Sequence, residues 1–178
     1  MQVPCSTNPY KSVNKHKFTF IRMKKNVALL CFGLVLLLGA CVKSNTGCTP
    51  QDPSIEKPSM VAYCVNNGIT YSEHSSGILY QITNPGTGTI PTLSSKIYIN
   101  YTGKRLDGTV FDSQSNSLAT GWILGQLIEG WQIGIPLIRK GGSIKMVLPS
   151  SLAYGCNGNG PIASNSPLYF EVTLVDVQ

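Results

Sequence analysis

The chain has 178 residues, enough for one domain with a small appendage. Hydrophobic residues reach 42% and charged residues only 12%, which supports a buried core and excludes a charge-rich disordered chain. Gly 18 and Pro 11 make it turn-rich and exclude a mainly helical fold. The formal charge of +6 is placed unevenly. Residues 1–40 hold Lys11, Lys15, Lys17, Arg22, Lys24 and Lys25 with no acid, while residues 41–178 balance eight Lys and Arg against eight Asp and Glu. A nucleic-acid partner needs its positive field on the folded part, so nucleic acid is excluded. Two histidines leave little for a metal site.

In chain order, the first feature is Met23-Lys24-Lys25-Asn26 followed by the apolar run Val27–Leu38 and then Gly39-Ala40-Cys41. A short cationic start, about a dozen apolar residues and small residues before a break make a secretory signal over residues 1–40. The run falls short of the roughly 20 residues that span a bilayer. Met23 is the more natural start, with residues 1–22 an over-long preface. Leu38-Gly39-Ala40-Cys41 resembles the lipobox of bacterial lipoproteins. That resemblance implies cleavage before Cys41, lipidation of Cys41, and attachment to a membrane. Several acyl chains, at about 0.8 kcal/mol per buried methylene, hold a protein durably where one is marginal.

Beyond Cys41 stand Cys48, Cys64 and Cys156. An exported chain permits a disulfide, and Cys48–Cys64, Cys48–Cys156 and Cys64–Cys156 are equally open. No Cys-x-x-Cys occurs, so neither a redox motif nor a zinc knuckle is expected.

Residues 41–53 read as a polar, Pro/Gly-rich tether that could reach about 40 Å when extended. Residues 54–67 are weakly helical, with Ile55, Val61, Ala62 and Val65 near one face and Gly68 as the stop. The period then changes to two. Ile78, Tyr80 and Ile82 alternate up to the break at Asn84-Pro85-Gly86, so residues 54–84 form a helical extension with a first strand. Ile97, Ile99 and Tyr101 alternate up to Thr102-Gly103, and Asp107-Gly108 signals a tight turn before Val110-Phe111. Trp131, Ile135 and Ile138 share helical spacing between Glu129 and Lys140. Ile144, Met146 and Leu148 form another strand, and Leu168, Phe170, Val172 and Leu174 form the last. Strands and one short helix outside βαβ alternation predict an antiparallel α+β domain, with the sheet curled around the helix.

No nucleophile–base set is convincing, and Gly86-Thr87-Gly88 lacks the context of a dinucleotide fingerprint. His74 reads as a solvated loop residue. What stands out is aromatic: Tyr101, Phe111, Trp122, Trp131, Tyr154 and Phe170 on one small domain. Spacing alone describes an aromatic core.

Local sequences add a second reading. Tyr101-Thr102-Gly103 and Asp107-Gly108-Thr109-Val110-Phe111-Asp112-Ser113 resemble the opening of FKBP-type peptidyl-prolyl cis-trans isomerases. Leu124-Gly125-Gln126-Leu127-Ile128-Glu129-Gly130-Trp131 resembles their central segment. Lys140-Gly141-Gly142, Leu148-Pro149, Leu152-Ala153-Tyr154-Gly155 and the strand Leu168–Leu174 continue the match, which covers residues 85–178. The resemblance implies a twisted antiparallel sheet wrapped over one short helix, with an apolar prolyl pocket between them. By position, Trp131 is the floor and Tyr101, Phe111, Leu127, Ile128, Ile162 and Phe170 are the walls. Asp112, Tyr154 and the backbone N–H of Ile128 supply polar contacts at the rim, and Trp122 packs as scaffold. Thr120 and Ala163 depart from the family pattern at the rim.

The implied function is isomerisation of X–Pro bonds in exported proteins, with no metal or organic cofactor. Its partners are proline-containing polypeptides, a membrane through Cys41, and macrolide inhibitors. The expected location is the cell envelope, lipid-anchored and facing an extracytoplasmic space. Val42, where an acidic retention signal is missing, favours an outer membrane. The alternative is a non-catalytic peptide-binding or chaperone module on the same anchor.

Overall fold

The computed structural model describes residues 47–178. The signal segment and Cys41 lie outside the described residues. Among the described residues, no helix is long and apolar enough to cross a membrane.

Helix α1 (Pro53–Asn66) starts where Asp52 accepts a hydrogen bond from the Ser54 N–H at 2.8 Å, with Pro53 in the first turn. These are standard solutions for the unpaired donors of a helix start. It ends at Asn67, whose side-chain amide donates to the Tyr63 carbonyl at 2.8 Å, and at Gly68 with φ +64°. The strands are β1 (Ser72–Glu73), β2 (Leu79–Asn84), β3 (Lys96–Arg105), β4 (Val110–Gln114), β5 (Trp122–Ile123), β6 (Ser143–Leu148) and β7 (Leu168–Val177). They form one antiparallel sheet in the order β1-β2-β6-β7-β3-β4, with β5 also on β3. Helix α2 (Glu129–Gly134) runs into a 3-10 turn at Ile135–Leu137. The helix is short, as Pro136 and the glycines of this segment predict: the α-helical part ends at Gly134, where the missing N–H and the ring of Pro136 disfavour a further turn.

The sheet has two buried faces. Alternate residues of the long strands, Ile144, Met146 and Leu148 on β6 and Leu168, Phe170, Val172 and Leu174 on β7, form the inner core. They enclose Trp131, Ile135 and Ile138 of the helical segment. Helix α2 lies very close to β6: a Cβ at Gly130 would strike the Leu148 side chain, and one at Gly134 the sulfur of Met146. Two glycines a turn apart thus let the backbone approach the sheet and sink Trp131 to 5% exposure.

The opposite face carries a second cluster, in which Met60, Tyr63 and Cys64 of α1 cover Leu79, Val147 and Tyr169. The weakly helical extension thus caps the outer face of the sheet. This also corrects the expected alternation in β2. Ile78 is fully buried and Ile82 is 39% exposed, while Leu79, on the other side, is 1% exposed. Among the described residues a disulfide joins Cys48 to Cys156, and Cys64 is free and buried.

Candidate active site

Strand β3 builds the site's frame because two short strands share one of its edges. β4 pairs along Tyr101–Lys104 and β5 along Lys96-Ile97. Between them the chain leaves the sheet through a turn at Ser117–Ala119, and Thr120 fills the gap. Its hydroxyl accepts from the Ile99 N–H at 2.9 Å and donates to the Ser117 carbonyl at 2.6 Å. The hydroxyl restores the ladder bond that a broken edge would lose. It also fixes the next residues, Gly121 and Trp122, beside the cavity.

That cavity has a volume of about 450 Å³ and is lined by Tyr101, Phe111, Asp112, Trp122, Leu127, Ile128, Trp131, Tyr154 and Phe170, with Gly121, Ile123 and Gln126. The rings meet edge to face. Trp131 stands 5.1 Å from Tyr101 at 77° and 5.2 Å from Phe170 at 81°, and Phe111 stands 5.6 Å from Phe170 at 87°. Such tilted pairs are the favoured arrangement of ring quadrupoles and fix the walls beyond what burial alone does. Gly103 permits the Phe111–Phe170 contact, since a Cβ there would lie 2.6 Å from Phe111 and 2.9 Å from Phe170.

The chemistry of the lining is sparse. Asp112 is its one charged residue. The Tyr101 hydroxyl donates to Asp112 at 2.6 Å, a short bond of the charge-assisted kind. Burial pushes the Tyr101 hydroxyl well above the ordinary phenol range, and the bond to Asp112 and its charge push it further. Tyr154 is raised as well, first by burial and then by the Asp112 charge. Both phenols are therefore neutral hydrogen-bonding groups at ordinary pH. Gln132 braces the lower lip, donating from its side-chain amide to the Leu127 carbonyl at 2.7 Å. Among the described residues, no cluster of His, Cys, Asp or Glu could hold a metal ion.

The structure brings together eight of the nine residues expected in the pocket: Tyr101, Phe111, Asp112, Trp131, Tyr154, Phe170, Leu127 and Ile128. Ile162 stands apart. It is 5% exposed and packs in the inner core, and it does not line the cavity. A bridge with Asn159 holds it there, each residue's N–H donating to the other's carbonyl at 2.9 Å. Trp122 was expected only as scaffold, yet it lines the cavity, 6.0 Å from the Tyr101 ring. Its position just ahead of Leu124-Gly125 was the available signal. Gln126, inside the same motif, also lines the cavity, and no hydrophobic period marks it.

Residues 88–175 match the family model described as FKBP-type peptidyl-prolyl cis-trans isomerase. Among curated proteins, the chain is 41% identical over 105 residues to the FKBP-type peptidyl-prolyl cis-trans isomerase FkpA of Escherichia coli K12, covering 58% of this chain and 39% of that one. It is 37% identical over 120 residues to FkpA of Aeromonas hydrophila, covering 67% and 44%. The chain thus spans about two fifths of the length of these relatives. Among solved structures, FkpA of Escherichia coli superposes with a TM-score of 0.61 at 34% identity, over 71% of this chain and 61% of that one. A peptidyl-prolyl cis-trans isomerase from Pseudomonas syringae pv. tomato superposes with a TM-score of 0.59 at 27% identity, over 73% and 98%. Residues 88–175 are a domain of the FKBP-type peptidyl-prolyl cis-trans isomerase family, with its antiparallel sheet and single short helix.

Proposed function

We propose that the whole chain accelerates rotation about X–Pro bonds in exported polypeptides, with the prolyl ring seated on Trp131. The observation that carries this reading is the ring-walled cavity with a single charged residue at its edge. Rotation faces a barrier of about 18–20 kcal/mol because it breaks amide resonance. Resonance also separates charge across the amide, so water stabilises the planar form and a dry apolar site favours the twisted one. Tyr101, Phe111, Trp131 and Phe170 supply that environment, with Leu127 and Ile128 closing the wall. The Ile128 N–H and the neutral Tyr154 hydroxyl hold substrate carbonyls, and Asp112 keeps the Tyr101 ring in place. Lowering the barrier by about 5 kcal/mol gives nearly four powers of ten in rate. No bond is made or broken, so no cofactor is called for. Macrolide inhibitors would compete for the same rings.

The same reading places the domain outside the cytoplasm, lipid-anchored through Cys41. The Cys48–Cys156 disulfide supports it, since such bonds persist in oxidising compartments. The expected result is incorporation of radiolabelled fatty acid that Cys41→Ser abolishes. Incorporation unchanged in that variant would remove the anchor from the proposal.

The test of activity is a protease-free proline-isomerisation assay on wild type, Phe111→Ala and Asp112→Ala, each first shown to be folded. Phe111→Ala removes a half-buried ring from the wall, and a loss of about tenfold or more in kcat/KM is expected. A folded wild type with no acceleration on varied X–Pro peptides would overturn catalysis and leave a binding module.

A further inference from the structure

The loop that carries Tyr154 is tied to the N-terminal extension on both sides. Before it, the fully buried Ser150 donates its N–H to one carboxylate oxygen of Glu56 at 2.6 Å and its hydroxyl to the other at 2.5 Å. The Ser150 carbonyl in turn accepts from the Ala153 N–H at 2.9 Å, which sets the residue next to Tyr154. After it, Cys156 is bonded to Cys48, just ahead of α1. Glu56 is 5% exposed. A carboxylate removed from water persists only when its oxygens are hydrogen-bonded, and both oxygens of Glu56 take bonds from Ser150. Neither Glu56 nor Cys48 lies within the family-matched residues 88–175.

We propose that Glu56 is a positioning residue for Tyr154. Together with the Cys48–Cys156 bridge it holds residues 149–157 in the form that presents Tyr154 to a bound prolyl peptide. An element outside the family domain thereby sets the affinity of the pocket. This rests on the reading of the cavity as a prolyl site. A loop held in advance binds without an ordering cost, whereas a released loop binds only in the fraction of molecules that have it in place. The loss falls on KM rather than kcat, because bound substrate and transition state depend on the same loop.

The experiment is a double-mutant cycle in the full chain between Glu56→Leu and Tyr154→Ala. Glu56→Leu keeps most of the side chain's volume but takes both acceptors away from the Ser150 N–H and hydroxyl. It is expected to raise KM about three- to tenfold with kcat little changed, and by less than about twofold in the Tyr154→Ala background. An equal factor in both backgrounds, or no change in either, would overturn the proposal. If Glu56→Leu does not fold, Ser150→Ala, which removes the hydroxyl's bond to Glu56, takes its place in the cycle under the same criteria. The dissociation constant of the same peptide, followed by fluorescence of the pocket's Trp122 and Trp131, gives a second reading of the cycle. An inactive wild type that still binds the peptide overturns the proposed catalysis alone, since the binding cycle decides the role of Glu56. Absence of both activity and binding overturns both.

Discussion

The two faces of the sheet are built from similar strands and do different work. On the inner face, Trp131, Phe170, Tyr101 and Phe111 meet edge to face and leave a cavity of about 450 Å³ between them. On the outer face, Met60, Tyr63 and Cys64 of α1 close over Leu79, Val147 and Tyr169, and the Tyr63 and Tyr169 rings stand 5.3 Å apart at 44°. Rings that brace one another can stand around an opening. Flexible Met and small Cys fill irregular gaps and leave none. A protein interior is normally close-packed, so an apolar hollow that survives needs walls held apart by something stiffer than contact with its contents. The comparison separates residues whose loss costs stability from those whose loss costs both stability and function.

The largest effect should come from the floor. Trp131→Ala removes the ring that contacts both Tyr101 and Phe170, and is expected to cost about 3–5 kcal/mol. It should also lower kcat/KM of the folded protein more than tenfold. Leu79→Ala on the outer face is expected to cost a similar about 2–5 kcal/mol, with kcat/KM of the folded protein within about twofold of wild type. Urea unfolding gives the first quantity and the isomerisation assay the second. Equal losses of activity in the two variants would erase the distinction between the faces.

How far the sequence revealed these faces differs for each. On β6 and β7 the period of two was legible because the inner face is continuously buried: Ile144, Met146 and Leu148, then Leu168, Phe170, Val172 and Leu174. On β2 the same reading failed. Alternation assumes one wet face, and α1 makes Leu79 a core residue from the other side while Ile82 runs out from under cover. The cysteine pairing was illegible for a related reason. Cys48 and Cys156 are 108 positions apart, and only the docking of the extension brings their Cα atoms to 5.4 Å. The pocket was legible through ordered local motifs, where family resemblance supplied roles that spacing alone did not. Trp122 escaped because its position depends on the Thr120 hydroxyl bridging the break between β4 and β5, a contact with no sequence period.

A smaller effect should separate the faces by pH. Tyr101 and Tyr154 at the pocket, and Tyr63 and Tyr169 under α1, all have hydroxyls raised above the ordinary phenol value, in each case chiefly by burial. A group whose folded-state pKa is raised contributes stability that is complete below its unfolded value, about 10. That contribution is lost as pH rises through the folded value. The protein should therefore lose stability progressively above about pH 10, from both faces together, with no tyrosine titration in activity near neutrality. Tyr101→Phe should flatten part of the alkaline decline in the urea midpoint. It should also weaken the pocket by releasing Asp112, whereas Tyr63→Phe should flatten the decline and leave activity alone. Activity that followed a tyrosine titration below pH 9 would contradict the buried, neutral state of these hydroxyls.

The smallest effect separates neighbouring residues on α1. Glu56 is buried and bonded twice to Ser150, while the Lys57 ammonium meets the Glu73 carboxylate at 2.7 Å with both side chains more than two fifths exposed. Both contacts join α1 to the rest of the domain, and distance alone does not rank them. Water already solvates the Lys57–Glu73 pair, so its net worth is about 0–1 kcal/mol and salt screens it further. Removing one partner of a buried hydrogen-bonded charge instead strands the other. Lys57→Ala should accordingly change stability by no more than about 0.5 kcal/mol, and by less still in high salt. It should leave the KM for the prolyl peptide unchanged, even though it cuts an ion pair next to the residue proposed to set it. Urea unfolding at low and high ionic strength checks the first expectation. A KM shift in Lys57→Ala matching that of Glu56→Leu would mean that any loosening of α1 reaches the pocket, and that the buried Glu56 side chain has no special part in holding Tyr154.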